Sequence, residues 1–125
     1  MGSILKATHS AFGKYQNNYK KSMTDKKRIL HEALVTRIRE GDGEALHADR
    51  RAAFDNANLS GPLKNLVEKV AIRPTTIADE DIAAVKASGR SEDQIFELVI
   101  CAAVGQATRQ YDAALKALDE AIAKT

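Results

Sequence analysis

The sequence predicts an all-α protein, a compact bundle of about five to six helices with a long central helix at its C-terminal end. Three observations favour this class. Alanine is abundant and recurs at helical spacing, aromatic residues make up 5% of the chain with no Trp, and only two Pro occur. Ala is the strongest helix former, whereas strands favour aromatic and β-branched residues, so the composition disfavours a β architecture.

The N-terminal region differs from the rest of the chain in charge. The first 30 residues carry a net charge of +6, and the other 95 carry −4. We interpret residues 1–22 as a basic N-terminal extension and residues 23–125 as a single helical domain, because Met23 is followed by a typical helix cap at Thr24 and Asp25. The extension is itself predicted to be helical from its apolar spacing of three and four, carried by Leu5, Thr8, Phe12, Tyr15 and Tyr19.

A basic extension with interleaved aromatic residues is also found in nucleic-acid binders. No Arg occurs among the first 27 residues, however, and the sequence pI of 8.7 is not that of a strongly basic domain. We therefore do not expect a nucleic-acid partner.

Four helices are predicted before residue 90. Asp25 to Glu40 is amphipathic and ends at the Gly41-Asp42-Gly43 turn; Glu44 to Ala57 is a weaker helix. Pro62 is placed at the first position of a third helix, which Pro74 ends, and Asp79 to Ser88 forms a fourth that stops at Gly89. The predicted apolar face of the first helix consists of Ile29, Leu30, Ala33, Leu34 and Ile38. That of the second consists of Leu46, Ala53, Phe54 and Ala57, and that of the third of Leu63, Leu66, Val67 and Val70.

The strongest local signal is a capping box, Ser91 to Gln94, which begins the last helix. Extended to Ala123, that helix is about 48 Å long, whereas a compact domain of this size is roughly 36 Å across. We therefore expect its C-terminal part to lie against another chain in a homo-oligomer, a dimer or trimer. The predicted interface consists of Tyr111, Leu115, Leu118 and Ile122. The alternative is a bend at Gly105 that folds the helix end back onto its own domain.

Few residues form a pattern typical of catalysis. His9, His31 and His47 are far apart in sequence and lack the spacing of metal ligands, so neither a metal nor another cofactor is expected. The weak catalytic candidates are Cys101, the chain's one cysteine, and Glu97, one helical turn before it. A neighbouring carboxylate raises a thiol pKa, which favours a structural Cys101. Glu97 needs a partner in its apolar turn, and Arg109 or Lys69 is the candidate.

Pro62 to Leu118 resembles the core of the AhpD-like, or carboxymuconolactone decarboxylase-like, helical superfamily. The resemblance is carried by LKNLVEKVA at 63–71, DEDIAAVKASGRSEDQIFELV at 79–99 and AAVG at 102–105. It implies a helical oligomer. Catalytic members carry a CxxCxxxH motif, and alignment on Gly89 puts Pro74, Ile77 and Asp81 where its Cys, Cys and His would stand.

Two functional hypotheses follow. The first is a non-redox family relative that forms a helical oligomer and binds a small apolar or aromatic metabolite between helices. The second is an enzyme, either a one-cysteine peroxidase that uses Cys101 or a lactone-type decarboxylase. A dithiol relay needs two thiols, so the missing pair favours the first. The longest apolar run, Leu98 to Val104, is too short to span a membrane, and the single cysteine fits a cytoplasmic location.

Overall fold

A computed structural model describes residues 25–125, and the interpretation of residues 1–22 falls outside this range. The described residues are helical, with no β-strand among them, which confirms the all-α class. Residues 25–40 form the described part of α1. It is followed by α2 (His47–Asp55), α3 (Gly61–Ile72), a 3₁₀ turn (Pro74–Thr76), α4 (Asp79–Ala87) and α5 (Glu92–Lys124).

The chain divides into two compact units, Met1–Val35 and Thr36–Thr125. In the first unit, the helix predicted from Asp25 is present, but its apolar residues are not buried: Ile29, Leu30 and Leu34 are 65%, 72% and 46% exposed. Helical spacing therefore predicted the secondary structure there and not the burial.

The second unit has its core where α2, α3, α4 and α5 meet. Helix α5 supplies Ile95, Leu98, Cys101 and Ala102, and α3 supplies Leu63, Leu66, Val67 and Ala71. Val85 of α4 and the pair Ala53 and Phe54 of α2 complete it. Most of the predicted apolar face of α3 is thus buried, since Val70 alone remains half-buried.

Helix α2 is shorter than the predicted Glu44 to Ala57. It begins at His47, after an extended Leu46 that is 69% exposed, and it ends at Asn56 in the left-handed conformation. Leu46 and Ala57, which were predicted to belong to the apolar face of this helix, lie outside the helix and are exposed. Asn tolerates the left-handed region better than most residues, which explains why the helix ends there without glycine.

The predicted ends of the later helices are close to the observed ones. Pro62 is the second residue of α3, one later than predicted, and Gly89 follows α4 with a φ of +108°. Ser91 Oγ accepts the Gln94 N–H at 3.1 Å, and Gln94 Oε1 accepts the Ser91 N–H at 2.8 Å, so the predicted capping box is present. Helix α5 then continues without a break to Lys124, through Gly105.

Candidate functional site

Glu97 holds the loop that precedes α2. Its Oε1 accepts the backbone N–H of Glu44 at 2.8 Å, and its Oε2 accepts that of Ala45 at 2.6 Å. Gly43 makes room for this carboxylate, since a Cβ at that position would come within 2.6 Å of Glu97 Oε1. The half-buried carboxylate thus provides acceptors for two N–H groups that lie before the first turn of α2.

The expected partners of Glu97 were wrong. Arg109 donates instead to the Phe54 carbonyl and to Gln106 Oε1, and Lys69 donates to Asp81. A carboxylate in an apolar turn was expected to pair with a basic side chain, but the donors to Glu97 are backbone N–H groups. Such donors are present at every non-proline residue and leave no signature in the sequence.

Cys101 lies one turn further along α5 and is 1% exposed. Its Sγ lies 3.4 Å from the Ile38 carbonyl oxygen, to which the thiol donates. Burial raises the pKa of the Cys101 thiol, the positive charges of Arg50 and Arg39 partly oppose the rise, and the negative charge of Glu97 adds to it. The thiol is therefore protonated at neutral pH, which is the state of a structural cysteine.

Arg50 of α2 is a buried charge, 3% exposed. Its Nε donates to the Ala45 carbonyl at 3.1 Å and its Nη1 to the Ile38 carbonyl at 3.3 Å. None of the ion pairs formed by the described residues includes it. Arg50 was not among the predicted functional residues, although helical spacing puts position 50 on the same face of α2 as Ala53 and Phe54.

These groups border a cleft of about 160 Å³ within the second unit. Its lining comprises Arg37, Ile38, Asp42, Arg50, Glu97 and Ile100. Arg37 and Asp42 are exposed, whereas the two isoleucines and Glu97 are half-buried. The cleft therefore combines two cations, two carboxylates and two apolar walls.

A second charged cluster joins α3 to α4. Lys69 Nζ lies 3.0 and 2.9 Å from the two carboxylate oxygens of Asp81, and Asn65 Nδ2 donates to the same carboxylate at 2.9 Å. Asp81 also accepts the Ala78 N–H at 2.8 Å. That backbone hydrogen bond, then the Lys69 and Asn65 hydrogen bonds, lower the pKa of Asp81. The Asp81 carboxylate thus joins α3 to α4.

The predicted interface residues lie on the C-terminal half of α5. Tyr111 and Leu118 are 42% and 50% exposed, and Leu115 and Ile122 are half-buried. The last buried residue of the helix is Gly105. The four side chains thus form an apolar stripe beyond the core of the second unit, which we call the α5 stripe.

His31 lies on α1 and His47 is the first residue of α2, while His9 lies outside the described part of the chain. Residues 25–125 contain no group of three or more His, Cys, Asp or Glu residues arranged to bind a metal ion. Over the same residues, no helix has both the length and the apolar character needed to cross a bilayer.

Comparison with known proteins gives no relative from which a family could be assigned. No family model, no curated protein and no solved structure matches this chain.

Proposed function

We propose that this chain is a non-redox helical protein of the AhpD-like type, which self-associates through the α5 stripe into a closed homo-oligomer, a dimer or a trimer. The observation that carries the proposal is the length of α5 beyond its buried part. From Gly105 the helix continues to Lys124, over roughly 28 Å at 1.5 Å per residue. Most helical stability in proteins comes from the packing of an apolar face, so a second copy packed on the α5 stripe would stabilise this part of the helix.

The spacing of the α5 stripe supports helix–helix self-association. Tyr111, Leu115, Leu118 and Ile122 are separated by four, three and four residues, which is the a and d spacing of a coiled-coil seam. Outside the stripe this part of the helix carries alanines and charged residues, and two pairs of opposite charge stand four residues apart, Asp112 with Lys116 and Glu120 with Lys124. Such pairs are typical of the solvent face of a helix.

The surroundings of Cys101 and Glu97 support a non-redox protein over the alternative enzyme. A one-cysteine peroxidase needs an accessible thiolate, whereas Cys101 is buried and its pKa is raised. Glu97 uses both carboxylate oxygens to accept backbone N–H groups. The chemistry expected of a lactone-type decarboxylase gains no support from these two residues.

Two double variants test the proposal, with multi-angle light scattering as the measurement. The pair Leu115→Glu and Leu118→Glu places two carboxylates in the stripe and should shift the mass to that of a monomer. The pair Ala113→Glu and Ala117→Glu adds the same charge to the same turns, outside the stripe, and should leave the oligomer intact. Equal masses for the two variants would overturn the proposal, provided that circular dichroism shows both to be helical.

A further inference from the structure

The buried side chain of Arg50 is charged, but its hydrogen-bond acceptors in the structure are neutral. A guanidinium has five N–H donors, and the structure gives Arg50 two acceptors, the neutral carbonyls of Ala45 and Ile38. Buried charges in proteins are normally paired with an opposite charge. Within the described residues no carboxylate forms an ion pair with Arg50, although its side chain lines an open cleft.

We propose that this cleft binds a small monocarboxylate, whose carboxylate group pairs with Arg50 and whose short apolar tail lies against Ile38 and Ile100. Arg50 keeps three N–H donors, enough for the bidentate contact that carboxylates make with arginine. The proposal is independent of the self-association proposed above, since the cleft lies among residues 37–100 and the α5 stripe begins at Tyr111.

The size of the cleft limits the ligand. A cavity of about 150 Å³ accepts a molecule the size of benzene, with about six heavy atoms. At about 160 Å³, this cleft matches a four-carbon acid such as butyrate. The half-buried isoleucines fit an aliphatic tail, since burying apolar surface is favourable.

The charges of the lining favour a single negative charge over two. Arg37 and Arg50 are balanced by Asp42 and Glu97, so that a dianion such as phosphate would meet two carboxylates. Glu97 cannot approach Arg50 freely, because its two oxygens hold the Glu44 and Ala45 amides. A monocarboxylate would complete the pairing of Arg50 and leave the loop contacts of Glu97 unchanged.

The test is a titration of ¹⁵N-labelled protein with sodium butyrate at constant ionic strength, followed by NMR. We expect saturable shifts at Ile38, Ile100 and the Arg50 side-chain Nε–H. Butanamide, the uncharged analogue, should bind at least about tenfold more weakly, because it loses the charge-assisted hydrogen bonds. Absence of saturable shifts, equal binding of butanamide, or tighter binding of inorganic phosphate would overturn the proposal.

Variants locate the binding. Ile100→Phe should fill the cleft and weaken butyrate binding by at least about tenfold while the hydrogen bonds of Arg50 remain in place. Arg50→Gln should abolish binding, and its matched control, Arg51→Gln, should not, since Arg51 pairs with Glu40. Unchanged affinity in Ile100→Phe would overturn the proposal even where Arg50→Gln fails to fold.

Discussion

Gly105 of α5 lies directly against the backbone carbonyl of Phe54, the buried aromatic residue near the end of α2. A Cβ at position 105 would overlap this carbonyl oxygen, and Arg109 donates to the same oxygen from the next turn of α5. The two helices therefore touch through backbone atoms, without a side chain between them. This close approach of two helices takes place within one chain.

The first prediction concerns this contact. Inside an ordinary helix, replacing Gly by Ala adds about 1 kcal/mol of stability. Here the added methyl group meets backbone, which cannot move aside as a flexible side chain would. We expect Gly105→Ala to lower the free energy of unfolding by about 1–3 kcal/mol, as overpacked core positions do, measured by urea denaturation.

The sign of the change in unfolding free energy of Gly105→Ala distinguishes a close backbone contact from an ordinary helical position. Ala107→Gly is a matched control at an exposed position of the same helix, and it should cost only the propensity difference of about 1 kcal/mol. A Gly105→Ala variant that is more stable than the wild type would contradict the close contact between Gly105 and the Phe54 carbonyl.

The sequence predicted the ends of helices better than the contacts between distant residues. The capping box at Ser91 and the end of α4 before Gly89 are local features, fixed by residues a few positions apart, and both were predicted. The hydrogen bonds of Glu97 join residues more than 50 positions apart, through backbone donors that no residue type marks. Arg50 differs from both cases: it lies at the same helical phase as the buried Ala53 and Phe54, but a charged residue carries no hydropathy signal for burial.

The second prediction tests the role of Glu97. Glu97→Gln keeps the size of the side chain but leaves one oxygen to accept two N–H groups from Glu44 and Ala45. Losing a hydrogen bond to a charged acceptor costs about 1–3 kcal/mol of unfolding free energy. Glu120→Gln, an exposed position on the same helix, should change stability by less than about 0.5 kcal/mol. Equal effects of the two substitutions would refute the structural role of Glu97.

The third prediction is a pH dependence that arises from Asp81. Hydrogen bonds from Ala78 and Lys69 lower its pKa in the folded state below the ordinary value of 3.8. The ionised form therefore stabilises the fold above pH 3.8, and this contribution is lost as the pH falls through the lower folded pKa. The stability difference between wild type and Asp81→Asn should be constant near neutral pH and shrink below about pH 4. Urea midpoints measured at several pH values check this, and a difference that does not vary with pH would contradict it.

The fourth prediction concerns Cys101. A buried thiol with a raised pKa reacts slowly. A disulfide-forming reagent should therefore label Cys101 in the native protein no faster than local unfolding exposes the thiol. Labelling should become rapid when denaturant unfolds the chain. Fast labelling of the native protein at neutral pH would instead support the one-cysteine enzyme.

The central claim is that the α5 stripe joins copies of this chain, and the solution mass of the wild-type protein tests it most directly. Sedimentation equilibrium from micromolar to millimolar concentration should give a mass that approaches a small multiple of 13.6 kDa, with two or three chains in a closed assembly. A single species of 13.6 kDa at every concentration would contradict the claim.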